Sequence, residues 1–273
     1  MAAPILLDRK GAVAYLTLNR PDAGNAIDAP LARCLLEAVE AVEADPAIRC
    51  VVVRASGRMF CAGGDVKALH AAGDALPELL REILEFLHPA VARLAKMEKP
   101  VVSAILGPAA GAGIGLAAVG DIVLAEPDAH FTMAYSRIGL TPDGGATWLL
   151  PRHVGLRRAQ ELYLTNRRVS ADEAAAMGLI TRVVAEGTLV HEVDTLAEAL
   201  ASSAVGALGR TKRLLLTSGD ATLAEQLEAE SENIAQQGMT VEGRTGIAAF
   251  VERRQANFGA AELSMTANAP RRT

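Results

Sequence analysis

Over the first two thirds of the chain, short apolar runs alternate with stretches whose apolar positions recur every three or four residues. This is the pattern of strands joined by crossover helices. Residues 12–19 predict a strand that ends at the Arg20-Pro21-Asp22 turn. Asp28 is placed to cap a helix bearing Leu31, Leu35, Val39 and Val42 at helical spacing, and Asp45-Pro46 stops it. Residues 50–54 and 101–105 read as buried strands, with a helix over 77–97 between them. A small-residue helix over 111–119 and short strands over 121–125 and 130–133 follow. From about residue 149 the strand signals fade, and amphipathic helices are expected over 188–201, 223–236 and 244–254. Ser170-Ala-Asp-Glu173 predicts a capping box with Gly178 as the helix stop, and residues 263–273 are expected to fray.

With no repeat, linker or low-complexity tract, the chain reads as one α/β unit: a core over residues 1–200 that carries the site, and a helical C-terminal region over 201–273. The sequence has 273 residues and is 51% hydrophobic, which excludes a disordered chain and allows a substantial core. Only 3% of residues are aromatic and the net charge is −5, which argues against a basic or base-stacking nucleic-acid surface. Cys34, Cys50 and Cys61 show neither paired spacing nor a metal-ligand pattern, so a reducing cytoplasm is expected and no metal. No run approaches the roughly 20 apolar residues that cross a bilayer, and the N-terminus lacks an export signal, so no membrane association is expected.

Three segments carry candidate chemistry. Phe60-Cys-Ala-Gly-Gly-Asp-Val-Lys67 follows a strand and sets small residues where backbone can approach a ligand, although alone it is equally a turn. Gly107-Pro-Ala-Ala-Gly-Ala-Gly-Ile-Gly-Leu116 again follows a strand and opens a helix, whose first N–H groups suit a developing oxyanion. Its Gly113-Ile-Gly115-Leu-Ala-Ala118 stretch also fits a loose dinucleotide fingerprint. The following strand starts too soon for the usual crossover, and no acid follows at the ribose position, so a NAD-dependent oxidoreductase is disfavoured. In the third segment, Pro142-Asp143-Gly144-Gly145 is blandly a turn with an exposed acid, but apolar neighbours and Trp148 make a partly desolvated carboxylate the sharper expectation. The five histidines are scattered and are assigned to surface or core.

The blocks Asn19-Arg-Pro with Asn25-Ala26, Phe60-Cys-Ala-Gly-Gly-Asp65, Lys99-Pro-Val-Val with Gly111-Ala-Gly, Asp121-Ile-Val-Leu-Ala125 and Ala174-Ala-Ala-Met-Gly-Leu-Ile180 occur in the order of the crotonase (enoyl-CoA hydratase/isomerase) family. Across roughly residues 12–258 the chain resembles that family. The resemblance implies an α/β fold, a crotonase-like spiral of ββα units with C-terminal helices that assemble a homotrimer or hexamer. It implies an acyl-CoA thioester substrate, coenzyme A entering as part of that substrate rather than as a separate cofactor, and thioester-oxygen contacts from the N–H groups of Ala62 and Ala112.

The family's hydratases carry two glutamates, and matching the blocks puts those positions at Gly115 and Tyr135. Paired-carboxylate hydration is thereby placed in doubt. Asp143 stands where the family's isomerases and aryl-CoA dehalogenases carry a catalytic aspartate, and the segment 133–151 is most similar to ring-epoxide isomerases of phenylacetyl-CoA degradation and their enoyl-CoA isomerase relatives. One carboxylate suits isomerisation, because the same base can remove a proton at one carbon and return it at another. The expectation is therefore an acyl-CoA isomerase with Asp143 as proton shuttle; the alternatives are a hydratase-type lyase and a non-catalytic crotonase-fold binding protein. A dehalogenase would use Asp143 as a nucleophile, which fits a chain poor in aromatics less well. The substrate is expected along Asn25, Ala26, Gly63, Gly64, Asp65, Val66 and Lys67, with Gly111, Gly113, Tyr135 and Trp148 completing the set. Asp65 is read as fixing the loop and Lys67 as offsetting phosphate charge. Residues 244–258 are expected to pack on a neighbouring subunit, with Arg253 and Arg254 in reach of the nucleotide phosphates.

Overall fold

A computed structural model describes residues 2–259. The chain opens with strands β1 (Ile5–Lys10) and β2 (Val13–Leu18), then helix α1 (Ala29–Ala44) and strand β3 (Cys50–Ala55). A short helix α2 (Val66–Ala71) and the long α3 (Leu76–Lys96) lead to β4 (Val101–Ile105), β5 (Pro108–Ala110), α4 (Ala112–Ala118), β6 (Ile122–Ala125) and β7 (His130–Thr132). Helices α5 (Ala146–Val154) and α6 (Leu156–Thr165), strand β8 (Val169–Ser170), α7 (Ala171–Met177) and β9 (Arg182–Val183) complete the core region. It ends in four helices: α8 (Leu189–Ser202), α9 (Val205–Thr217), α10 (Leu223–Met239) and α11 (Val241–Val251).

A six-stranded sheet runs in the order β1-β2-β3-β4-β6-β9, antiparallel only between β1 and β2, and a small second sheet runs β5-β7-β8. The central strands are mostly apolar because both faces are covered. Ala14, Leu16, Val51 and Val53 join the core beneath α1 and α3, while Val13, Tyr15, Cys50 and Val52 pack with Leu189, Val193 and Ala197 of α8 on the other face. Asp28 caps α1 as its sequence dictates, accepting the Leu31 N–H at 2.9 Å, and Leu31, Leu35 and Val39 are fully buried.

Several elements depart from the sequence reading. Strand β1 carries no sequence signal, since only Ile5 of its six residues is buried and no alternation marks it. Helices α2, α5, α6 and α9, the short strand β5 and the two-residue strands β8 and β9 are likewise additions to the expected elements. The box at Ser170 is half-formed: Ser170 Oγ accepts the Glu173 N–H at 3.2 Å, but the Glu173 carboxylate turns to Arg167 at 2.7 Å. A complete capping box forms instead at Thr222 and Glu225. The expected fraying of 263–273 lies outside the described residues. Among the described residues no helix is long and apolar enough to cross a membrane.

Candidate active site

Two backbone segments meet beneath the small sheet. After β3 the chain pairs with β5: the Phe60 N–H donates to the Pro108 carbonyl at 3.0 Å and the Ala110 N–H to the Cys61 carbonyl at 2.8 Å. This approach requires Gly63, whose φ is 93° and where a Cβ would sit 2.9 Å from the Ala110 carbonyl oxygen. Asp65 accepts the Ala68 N–H at 3.2 Å, capping α2, and an Arg20 N–H at 3.1 Å. Arg20 also pairs with Asp28 at 3.0 Å, so one guanidinium ties the starts of α1 and α2 together. The reading of Asp65 as a loop-fixing acid agrees with these contacts.

Several expected ligand groups are scaffold. Asn25 is fully buried; its side-chain NH2 donates to the Ser56 and Met59 carbonyls at 2.9 and 2.7 Å and its Oδ1 accepts the Arg20 N–H at 2.8 Å. All of its polar capacity goes to holding the loop, and Ala26 beside it is buried. Gly113 exists for packing, since a Cβ there would lie 2.7 Å from the Cys61 Cβ. Burial pushes the Cys61 thiol up to about 12, which removes it as a nucleophile.

Ala62 is corrected as an oxyanion donor. Its N–H already donates to the Gly24 carbonyl at 2.9 Å, and an N–H so engaged is not free for a substrate oxygen. Among the described residues the N–H groups of Gly64 and Ala112 have no acceptor, and both residues line one cavity of about 290 Å³. Of the two residues expected as donors, Ala112 has an unengaged N–H on this cavity and Ala62 does not; Gly64 has one. Gly111, with φ 51°, makes the turn that sends Ala112 into α4.

Asp143 lines the same cavity, with a wall of Ile27, Leu69, Ile83 and Leu87. Burial raises the pKa of its carboxyl above the ordinary carboxylate value, opposed by a hydrogen bond from Tyr135 and by the nearby His88. The Tyr135 hydroxyl donates to Asp143 Oδ1 at 2.7 Å. The Gly144 N–H donates to His88 Nε2 at 3.3 Å. Tyr163, on α6, buries a hydroxyl that has no hydrogen-bond partner among the described residues, and the charge of Asp143 adds to burial in raising its pKa.

His88 and Tyr163 are absent from the sequence reading of the site. A signal for His88 exists: Leu80, Leu84 and His88 recur at a spacing of four along α3, and all three line the cavity. Trp148, by contrast, does not enclose Asp143. It is 39% exposed, with the Arg152 guanidinium 3.8 Å from its ring centre, and borders a different cavity of about 570 Å³ against α9. Of the two acids lining that larger cavity, Asp121 is occupied by the Lys212 ammonium at 2.9 Å and the Val101 N–H at 2.8 Å, and Glu98 pairs with Arg213 at 3.0 Å. Val66 stands at the mouth of the smaller cavity and Lys67 is exposed beside it on α2. Among the described residues no cluster of His, Cys, Asp and Glu is arranged to hold a metal ion.

Comparison with known proteins places the chain in a family. The family model described as enoyl-CoA hydratase/isomerase matches residues 8–261. The 1,2-epoxyphenylacetyl-CoA isomerase of Escherichia coli K12 is 40% identical over 90% of this chain and 94% of its own. A probable enoyl-CoA hydratase of Rhodobacter capsulatus is 36% identical, covering 90% and 94% of the two chains. The crystal structure of an enoyl-CoA hydratase from Polaromonas sp. JS666 superposes with a TM-score of 0.88 at 35% identity, over 93% of this chain and 98% of that one. The fold, the two glycine-rich segments and these similarities agree: the chain belongs to the enoyl-CoA hydratase/isomerase family.

Proposed function

We propose that the protein is an acyl-CoA isomerase that moves a proton between carbons of the acyl group with Asp143 as its single base. The observation that carries this reading is the sharing of one cavity by the Asp143 carboxyl and the free N–H groups of Gly64 and Ala112. With the thioester oxygen on those two donors, the adjacent C–H is acidified. Asp143 takes the proton, the C–H electron pair passes into the enolate, and return of the proton at a second carbon completes the shift. Each preorganised donor is commonly worth about 3 kcal/mol of barrier, so the pair accounts for much of the stabilisation an enolate needs. A carboxyl pushed upward by burial is also a better base near neutrality than an ordinary one.

Position 115 supports isomerisation over hydration. It is a glycine with no room for an acid, because a Cβ there would meet the Gly144 carbonyl oxygen at 2.2 Å. The Escherichia coli relative's name adds ring-epoxide rearrangement to double-bond migration as a candidate reaction. Coenzyme A enters as part of the substrate, its pantetheine following the residues 62–67 loop and its phosphates meeting Lys67. Oligomerisation through the C-terminal helices is part of the same reading, supported by Leu223, Ile234, Ile247 and Phe250, all more than 60% exposed on α10 and α11. The expected reach of Arg254 to phosphate competes with its contact to Glu252 at 2.5 Å.

The test is a panel of acyl-CoA thioesters, including 3-enoyl and ring-epoxide types, followed by mass and ultraviolet spectra. Isomerisation of at least one member, reduced on the order of 100-fold by Asp143→Asn with little change in CoA affinity, is expected. Wild-type turnover in the Asn variant would sink the assignment.

A further inference from the structure

Tyr135 occupies one of the two positions where the family's hydratases carry an acid. It sits in a 3-10 turn over Tyr135–Ile138, is 7% exposed, and its hydroxyl lies 2.7 Å from Asp143 Oδ1 and 3.5 Å from the Asp143 carbonyl oxygen. Among the described residues no other side chain donates to the Asp143 carboxylate. We propose that Tyr135 is the positioning residue of the site: by tying Oδ1 down it makes Oδ2 the one atom that takes and returns the proton. The proposal deepens the isomerase reading and rests on it for its kinetic part.

Competing effects act on this one carboxyl. Burial favours the protonated form, and a protonated acid cannot accept the substrate proton. A hydrogen bond given to the charged form opposes burial, and Tyr135 gives it without bringing a second negative charge, as a glutamate at this position would. Burial and the Asp143 charge both drive the pKa of the Tyr135 phenol upward, so it remains a donor at all working pH values. The other titratable groups that feel or bias Asp143 cannot substitute. His88, from α3, spends its Nε2 on the Gly144 N–H and, among the described residues, makes no hydrogen bond to Asp143. The Tyr163 hydroxyl, from α6, makes no hydrogen bond to Asp143, and the Cys61 thiol is buried and held protonated. Holding one oxygen also fixes the plane of the carboxylate, so both half-reactions proceed from one atom on one face of the acyl group. In the first, the C–H bond breaks, its electrons enter the enolate and an O–H bond forms at Oδ2. In the second, that O–H bond breaks and the enolate pair forms the new C–H bond.

Tyr135→Phe keeps the ring and removes only the donor. In the full-length protein we expect turnover near neutral pH to fall on the order of 10-fold, KM to change less than about twofold, and the acidic limb of the kcat/KM profile to move to higher pH. The independent readout is the Asp143 carboxyl carbon followed by NMR without substrate, assigned by its loss in Asp143→Asn. Its titration should move to higher pH in Tyr135→Phe. An unmoved titration overturns the proposal, as does a raised KM with unchanged kcat, which would make Tyr135 a substrate contact. If no acyl-CoA is isomerised by the wild type, the functional reading fails while the titration still decides the role of Tyr135. Should Tyr135→Phe not fold, the Tyr135 hydroxyl proton is compared in wild type and Asp143→Asn: an upfield shift in the variant is expected, and an identical position contradicts the contact.

Discussion

The carbonyl oxygen of Gly144 occupies the space where a side chain on Gly115 would begin, 2.2 Å from the Cβ position of residue 115. The turn that presents Asp143 is therefore packed directly on α4, and the Asp143 arrangement and an acid at position 115 exclude one another. Gly115→Ala should destabilise the protein by about 1–3 kcal/mol, the usual range for overpacking, measured by urea unfolding. Gly115→Glu should lower stability at least as much and install no hydration of crotonyl-CoA. A Gly115→Glu variant that is fully stable and hydrates the substrate would show that the turn yields easily.

Asp143 also sets a pH dependence of stability. Its folded-state pKa is raised, so between the ordinary carboxylate value and the folded value the native state binds more protons than the unfolded one. Stability from this group therefore falls as pH rises through that window, and at neutral pH the ionised carboxylate is a net cost of folding. Asp143→Asn, which keeps an oxygen to accept from Tyr135, should raise neutral-pH stability by about 0.5–2 kcal/mol while abolishing most activity. The gain should shrink as pH is lowered toward the ordinary carboxylate range. Thermal melts at several pH values check both parts; an Asn variant less stable at neutral pH would reverse the sign.

Asn25 separates scaffold from ligand. Removing its side chain orphans two partly buried carbonyls and one N–H, and leaves alanine at a φ of 53°. Asn25→Ala should cost on the order of 3 kcal/mol in urea unfolding. A variant of wild-type stability with a much higher KM for acyl-CoA would restore Asn25 as a substrate contact.

Much of this arrangement is legible from sequence because the signals are local. The Asp28 cap, the apolar run 101–105 and the glycines that let segments 60–65 and 107–112 approach each other all act over a few residues. What escapes the sequence is long-range. Nothing near Ala62 reveals that the Gly24 carbonyl, contributed by a turn before α1, already holds its N–H. Trp148 is close to Asp143 in sequence, yet the α5 helix that starts at Ala146 turns it to another face. His88 reaches the site from a helix more than fifty positions away, and its apolar stripe reads first as ordinary core. The Tyr135 to Asp143 contact spans only eight residues but depends on the turn over 135–138, whose geometry no periodicity announces.

One carboxylate, on a site with two free N–H donors, is expected to isomerise an acyl-CoA and not to hydrate one. The most direct test sets the two reactions against each other in a single preparation of wild-type protein. Crotonyl-CoA is followed for loss of its conjugated absorbance, and a 3-enoyl-CoA or ring-epoxide thioester is followed for the isomer of unchanged mass. The predicted result is isomerisation that Asp143→Asn lowers on the order of 100-fold, with hydration at least that much slower than isomerisation. Rapid hydration of crotonyl-CoA with no isomerisation of either substrate type would contradict it.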